Sequence, residues 1–167
     1  MNHLSAKPSL VTQENDKPKF VEQEWRHGEF VISTDRSRLN IPFIHEFFSN
    51  ESYWATNRSR EVVERSIENS LNFGVFYGDE QIGFARIVTD YSTFAWLADV
   101  FIIDAYRNRG LGKWLVEVIT SHPRLQNFHR WLLATRDAHE LYRRVGFNEL
   151  AEPTRWMEPR AAAAHFT

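Results

Sequence analysis

Apolar positions in the first half of the chain follow two different spacings. The segment EFVIST, residues 29–34, is a short strand candidate. Apolar residues then recur at helical spacing over 41–48. They recur again every fourth residue from Val63 to Leu71, behind a suitable N-cap at Ser59. The pattern therefore predicts one strand followed by two amphipathic helices.

The middle of the chain alternates apolar and polar residues between turn signals, which is the pattern of antiparallel strands. A hairpin is predicted over residues 72–90, around a turn at 78–80. A second turn, at 89–92, leads into the longest predicted strand, residues 94–103. Three successive antiparallel strands are the simplest topology for this region.

The last third of the chain shows helical spacing on either side of one strand. An amphipathic helix is predicted over 110–121, the apolar segment RWLLAT at 130–135 is typical of a buried strand, and a short helix follows over 138–146. Because a helix separates the two strands, strand 130–135 is expected to run parallel to strand 94–103.

Two short segments after the last helix, 147–150 and 153–157, are predicted as final strands. The whole pattern predicts an α+β fold in which helices flank a mixed central β-sheet. Residues 1–24 are polar and contain two prolines, which predicts a mobile polar arm. Residues 25–160 are expected to form one domain, and residues 161–167 a C-terminal tail.

Composition narrows the class of protein. A chain of 167 residues with 43% hydrophobic content fits one domain with a real core. Its formal net charge of −2 argues against a globally basic nucleic-acid-binding protein. The absence of cysteine excludes disulfides, thiolate metal sites and a covalent cysteine enzyme. The N-terminus lacks an apolar signal core, and no apolar run approaches the ~18 residues of a membrane span, so a cytoplasmic protein without a membrane partner is expected.

The segment RNRGLGK, residues 107–113, places two glycines and three cations where a predicted strand gives way to a helix. The first turn of a helix presents unpaired N–H groups and the positive end of the helix dipole, and glycine lets an anion approach the backbone. The segment is therefore typical of a phosphate site. A P-loop is excluded because Arg107 and Trp114 stand where glycine and a hydroxyl residue are required. Leu115 replaces the third glycine of a dinucleotide fingerprint.

The remaining pattern, Arg107-x-x-Gly110-x-Gly112, resembles the acyl-CoA-binding motif of the GNAT N-acetyltransferase family. The segment VFIIDAYRNRGLGKWLVEVI is similar to the family's central strand and pyrophosphate helix, and LLATRDAHELYRRVGF to the strand and helix that follow. The order of predicted elements is also the family's, and the resemblance covers roughly residues 28–158. It implies a GNAT-like sheet in which a splayed strand pair holds acyl-CoA.

The resemblance implies transfer of an acetyl or another small acyl group from CoA to an amine, with acetyl-CoA as cosubstrate and no metal. Backbone N–H groups around Gly110 would receive the pyrophosphate, and Val100 and Ile102 would offer backbone groups to pantetheine. Thr135 stands where many family members carry an asparagine that bonds the cofactor, and its hydroxyl can still make one such bond. The implied cofactor-binding residues are Val100, Ile102, Arg107, Asn108, Arg109, Gly110, Leu111, Gly112, Lys113 and Thr135.

Two residues are candidates for catalysis. Tyr142 fits the family's general acid, which gives a proton to the departing CoA thiolate, and the alternative is a tyrosine packed on a helix face. Asp99, inside an apolar strand, is the candidate base for the amine, and the alternative is a structural aspartate bonded to backbone or to an arginine. Asp137 is predicted as a helix N-cap, and His139 is typical of a surface residue although its pKa range suits a base.

Aromatic residues are concentrated before the longest strand and are predicted to line the acceptor site, with ordinary core packing as the alternative. Arg58 and Arg60 either hold an acceptor carboxylate or belong to a solvated helix start. The predicted acceptor-binding residues are Tyr53, Trp54, Tyr91 and Phe94.

The expected function is an N-acetyltransferase that acts by direct attack of the primary amine of a small molecule. Two alternatives stay open: a non-catalytic acyl-CoA-binding sensor or scaffold, and a protein or peptide N-acetyltransferase. A homodimer is a further expectation. The sequence leaves open which amine is the acceptor and how long the acyl group is.

Overall fold

A computed structural model describes residues 21–158, and these are built around one six-stranded sheet. The strands neighbour one another in chain order, and each pair is antiparallel except the last, which is parallel. The predicted mixed sheet and its parallel last pair are therefore confirmed. The strands are β1 Glu24–His27, β2 Phe30–Ser33, β3 Leu71–Tyr77, β4 Glu80–Thr89, β5 Phe94–Ile102 and β6 Arg130–Leu133.

The first two helices of this part of the chain begin at side-chain caps. Asn40 Oδ1 accepts a hydrogen bond from Phe43 N at 3.1 Å, and Ser59 Oγ accepts one from Val62 N at 3.4 Å. The cap at Ser59 is as predicted. The helices are α1 Ile41–Asn50, α2 Arg60–Glu68, α3 Leu111–Ser121 and α4 His139–Arg143.

Alternating side chains along β4 and β5 build a hydrophobic core on each face of the sheet. On one face Ile87 packs in a cluster with Leu115 of α3, and on the other Phe84 and Phe101 pack against α1 and α2. Phe101 stacks on Phe47 of α1, with ring centroids 3.7 Å apart and ring planes 8° apart. The two cores together fix the position of β5.

β5 carries a bulge at the point where it leaves β6. Ala98 of β5 pairs with Arg86 of β4, and Phe101 pairs with Phe84, so two residues of β5 lie opposite one residue of β4. Asp99, the first of these two residues, has a φ of 55°. Parallel pairing with β6 ends at Leu97, whereas β5 continues to Ile102. The strand pair is therefore splayed, and among the described residues the last five of β5 have no strand partner on that edge.

The C-terminal segment differs from the prediction. Neither 147–150 nor 153–157 forms a strand, and the second segment contains a 3₁₀ turn that begins at Pro153. Proline has no N–H for a strand ladder, and Leu150 is exposed instead of packed. The prediction of final strands was wrong because these residues have no buried face that would fix a register.

The N-terminal strand β1 was not predicted. Its first residue, Glu24, is the last residue of the predicted arm, and Gln23 N donates a hydrogen bond to Thr34 Oγ1 at 2.9 Å. Residues 1–20 of that arm and the predicted tail 161–167 lie outside the described residues, so the domain boundaries stay predictions. No helix within residues 21–158 is long and apolar enough to cross a membrane.

Gly83→Ala should destabilise the fold because a methyl group has no room between β4 and β5. Its Cβ would lie 2.6 Å from Ile102 Cδ1 and 2.7 Å from the carbonyl oxygen of Phe101, a backbone atom that cannot rotate away. We expect the free energy of unfolding to fall by about 1–3 kcal/mol, measured by urea denaturation.

Gly112→Ala is the matched control for this substitution. Within the described part of the chain its Cβ would meet only Leu141 Cδ2, at an ordinary 3.7 Å, and alanine is the better helix former. Its stability should therefore hold or rise. An equal loss in the two variants would contradict the close approach of β4 and β5 at Gly83.

Candidate active site

A cleft of about 440 Å³ opens where β5 and β6 separate. One wall is β5, another is the loop that joins β6 to α4, and the loop between α1 and α2 supplies a third. The structure thus brings together residues from four separate segments of the chain. The predicted site residues that line the cleft are Tyr53, Trp54, Asp99, Val100, Thr135 and Tyr142.

The free edge of β5 presents main-chain groups to this cleft. Ile103 N donates to Ile82 O of β4 at 2.9 Å, and successive residues of a strand direct their N–H and C=O groups to opposite sides. Val100 and Ile102 therefore direct theirs away from β4 and into the gap. Arg107 Nε donates to Ile102 O at 2.9 Å, so this carbonyl already has one partner. This is the edge predicted to bond pantetheine.

α3 begins at a turn that contains two residues in the left-handed region. Asn108 has a φ of 61°, and Gly110, the N-cap, has a φ of 79° at which an L side chain is strained. Trp114 N donates to Gly110 O, so the N–H groups of the three residues between them precede the first helical hydrogen bond. Together with the helix dipole, these groups can bind an anion.

The three cations of the motif flank this turn, and each already contacts a neighbour. Arg107 pairs with Asp104 at 2.5 Å, and Lys113 pairs with Glu117 at 3.2 Å. The Arg109 guanidinium lies over an aromatic ring, 5.2 Å from its centroid. Exposed pairs of this kind contribute little to stability, so a bound anion can compete for the same cations.

Tyr142 reaches the cleft from the core. The residue is only 8% exposed, its ring packs edge-on against Phe147, and its hydroxyl has no hydrogen-bond partner within residues 21–158. Burial, together with nearby Tyr53 and Asp137, raises the pKa of Tyr142 to about 12. The phenol is therefore protonated at neutral pH and available to donate a hydrogen bond.

Asp99 lies between two arginines, and its side chain is 1% exposed. Arg58 Nη1 is 2.8 Å and 2.9 Å from its two carboxylate oxygens, and Arg86 Nε is 2.5 Å from Oδ2. This geometry matches the alternative of a structural aspartate paired with an arginine. A role as base stays a prediction, and taking up a proton would disturb at least one of these bonds.

Thr135 helps to start α4. Its Oγ1 accepts a hydrogen bond from Ala138 N at 3.0 Å, which leaves the hydroxyl proton for another acceptor. Asp137 was predicted to cap this helix, and that prediction was wrong. The N-cap is Ala138, and Asp137 instead lies 3.6 Å from the Arg136 guanidinium.

Two of the four aromatic residues predicted for the acceptor site line the cleft. Tyr53 and Trp54 stand edge to face on the loop between α1 and α2, with centroids 5.0 Å apart. Tyr91 lies under the guanidinium of Arg124 in the turn before β5, and Phe94 is the first residue of that strand. Neither Tyr91 nor Phe94 lines the cleft.

Two arginines of the cleft were missed by the sequence analysis. Arg86 reaches Asp99 from β4, and Arg136 lies over the ring of Tyr53, 3.5 Å from its centroid. Tyr53 Oη also accepts a hydrogen bond from Arg136 N at 2.9 Å, which joins two walls of the cleft. The sequence did contain a signal for Arg86. It is a charged residue on an apolar strand, and the hairpin of β4 and β5 brings it close to Asp99, a charged residue on the other apolar strand.

Comparison with known proteins points to one family. Residues 40–147 match the model of the Acetyltransferase (GNAT) family. A crystal structure from Xanthomonas campestris pv. campestris, provisionally described as an acetyltransferase of the GNAT family, is 43% identical. The match has a TM-score of 0.76 and covers 78% of this chain and 92% of that one.

More distant proteins agree with this match. A Gibberella zeae protein, provisionally described as an acetyltransferase, is 25% identical over 78% of this chain and 85% of its own. The crystal structure of spermidine N-acetyltransferase from Vibrio cholerae, in complex with CoA and spermine, is 19% identical with a TM-score of 0.60. It covers 75% of this chain and 84% of that one, and at this identity the likeness shows the fold alone.

Gly112→Asp should weaken the binding of acetyl-CoA at least about tenfold, or about 1.4 kcal/mol. The carboxylate would stand at the helix N-terminus that is predicted to receive the pyrophosphate. Aspartate is favourable in the first turn of a helix, so the variant should still fold. Calorimetry measures the affinity.

Gly112→Asn, which adds the same volume without the charge, should lose less affinity than Gly112→Asp. A folded Gly112→Asp variant with unchanged affinity for acetyl-CoA would mean that the phosphates bind elsewhere.

Proposed function

This chain belongs to the GNAT acetyltransferase family, and we propose that it moves an acetyl group from acetyl-CoA to the primary amine of a small molecule. The observation that carries the proposal is the Tyr142 hydroxyl. It is held protonated in the cleft beside the free edge of β5, without a partner among the described residues. A module that only binds CoA has no need of a proton donor at that point.

The cofactor side of the proposed site consists mainly of main chain. The N–H groups of 109–112 would bind the pyrophosphate, and the free edge at Val100 and Ile102 would bond the pantetheine amides. A Cβ at Gly112 would meet, among the described residues, only Leu141 within 4 Å, which leaves space beside the helix start for a ligand. On this proposed course the thioester would lie near Tyr142 in the cleft.

The proposed reaction is a direct attack. An alkyl ammonium has a pKa near ~10.4, so the acceptor must first lose a proton. The amine nitrogen then bonds to the thioester carbonyl carbon, the carbon–sulfur bond breaks, and the Tyr142 hydroxyl gives its proton to the departing thiolate. The newly bonded nitrogen, which is positively charged after the attack, gives its extra proton to solvent, and solvent returns a proton to Tyr142. Asp99 is proposed to hold Arg58 and Arg86 in the cleft, and as a base it would act through water.

A small acceptor fits this cleft better than a protein segment does. Its volume of about 440 Å³ lies within the range of about 300–1,000 Å³ that is usual for small-molecule sites. The hydrogen bond from Arg136 N to Tyr53 Oη joins two walls of the cleft.

Tyr142→Phe should lower kcat by about 10²-fold. This is the lower end of the usual effect of a general acid, because the CoA thiolate can leave to some extent without a proton donor. Only the hydroxyl is removed, so stability and the affinity for acetyl-CoA should hardly change. Steady-state kinetics with the best acceptor found measure kcat, and calorimetry measures the affinity. If the variant keeps the wild-type kcat, Tyr142 only packs in the core. That result would favour the alternative of a non-catalytic acyl-CoA-binding protein.

The pH dependence of kcat should show no alkaline decline below pH 10. The pKa of Tyr142 is raised to about 12, so its hydroxyl keeps the proton through the range in which the acceptor amine loses its own. Rates for the wild type should therefore rise or level off from pH 7 to pH 10. A decline centred below pH 10 that vanishes in Tyr142→Phe would show that the phenol ionises readily and is not buried as described.

A further inference from the structure

We infer that the acceptor carries a carboxylate close to its amine, together with an apolar group. This rests on the proposed function, since it describes the acceptor of the same site. The observation behind it is a pair of arginines in the cleft that share a single buried carboxylate.

Among residues 21–158, the charged side chains that line the cleft are three arginines and two aspartates. Arg136 and Asp137 are exposed and lie 3.6 Å from each other. Deeper in the cleft, Arg58 and Arg86 both bond Asp99. This inner group therefore has one positive charge more than it has negative charges.

Arg58 has hydrogen-bond donors to spare. Its Nη1 contacts both oxygens of Asp99, whereas its Nε and Nη2 have no acceptor among the described residues. Arg86, by contrast, also uses Nη1, which donates to Ser70 Oγ at 3.1 Å. The Arg58 side chain is 28% exposed and these donors are not buried, so a ligand in the cleft can replace water at them. A carboxylate suits them because it accepts two parallel bonds from one guanidinium edge.

An apolar surface lies in the same cleft. Tyr53 and Trp54 are 42% and 37% exposed although both are large and aromatic, and Trp96 lines the cleft with them. Aromatic rings of this kind bury the apolar part of a ligand while nearby polar groups fix its orientation. The acceptor that matches both features is an amino acid or a similar compound with an aromatic or other apolar side chain.

The single excess positive charge of Arg58, Arg86 and Asp99 attracts an anionic group on the acceptor and disfavours polycationic acceptors. A carboxylate bound at Arg58 would neutralise this excess charge.

The test is thiol release from acetyl-CoA with phenylalanine, phenylalaninamide, phenethylamine and spermidine. Each kcat/KM value is calculated from the concentration of the unprotonated amine, so that differences in amine pKa between the compounds do not affect the comparison. We expect phenylalanine to exceed phenylalaninamide and phenethylamine at least about tenfold, and spermidine to be the poorest acceptor. Equal or higher values for the compounds without a carboxylate overturn the inference.

Arg58→Gln tests which residue recognises the carboxylate. Arg86 still pairs with Asp99 in this variant, so the fold should persist. The loss of kcat/KM for phenylalanine should exceed the loss for phenylalaninamide at least about tenfold. Arg58→Lys keeps the positive charge but loses the two parallel donors of the guanidinium, so it should keep part of the preference for phenylalanine over phenylalaninamide. Arg60→Gln is the matched control, because Arg60 pairs with Glu64 on α2 and does not line the cleft. A preference that survives Arg58→Gln overturns the assignment.

A binding measurement separates failure of this inference from failure of the proposed function. If acetyl-CoA binds but no amine is acetylated, the proposed function fails. Calorimetry with N-acetylphenylalanine and N-acetylphenylalaninamide then decides the inference by itself. The acid should bind at least about tenfold more tightly to the wild type, and this difference should vanish in Arg58→Gln. Equal binding of the two compounds overturns the inference.

Discussion

The site depends on the bulge in β5 and on the ion pairs that surround it. Asp99 takes a φ of 55°, a region that asparagine and aspartate enter more readily than other residues with a side chain. Its buried carboxylate is compensated by Arg58 and Arg86. The bulge coincides with the end of pairing between β5 and β6, which directs the last main-chain groups of β5 into a gap. A regular β5 paired along its whole length would leave no cleft.

The gap separates two kinds of recognition. The proposed cofactor side uses the edge of β5 and the start of α3, which depend on backbone geometry and on few side-chain identities. The proposed acceptor side uses side chains of the loop between α1 and α2, among them Tyr53, Trp54 and Arg58. Proteins that keep the backbone arrangement can therefore share the fold while their loops suit different acceptors.

Local patterns were enough to predict most of the fold. The helical spacing of α3 and the alternation along β3 to β5 depend on neighbours in sequence, and so does the glycine turn at 107–112. The short strand β1 could not be predicted because it depends on pairing with β2. Arg86 and Arg136 were missed for the same reason, since their partners Asp99 and Tyr53 lie 13 and 83 positions away. Asp99 could be singled out as a carboxylate on an apolar strand, but its pairing with Arg58 and Arg86 could not be predicted.

The most direct test of this account is a crystal structure of the protein with acetyl-CoA. We expect the pyrophosphate at the N–H groups of 109–112, pantetheine along the free edge of β5, and the thioester sulfur within hydrogen-bonding distance of Tyr142 Oη. Acetyl-CoA bound instead in the cavity of about 880 Å³ between β6 and the C-terminal segment, away from the start of α3 and from the free edge of β5, would contradict the account.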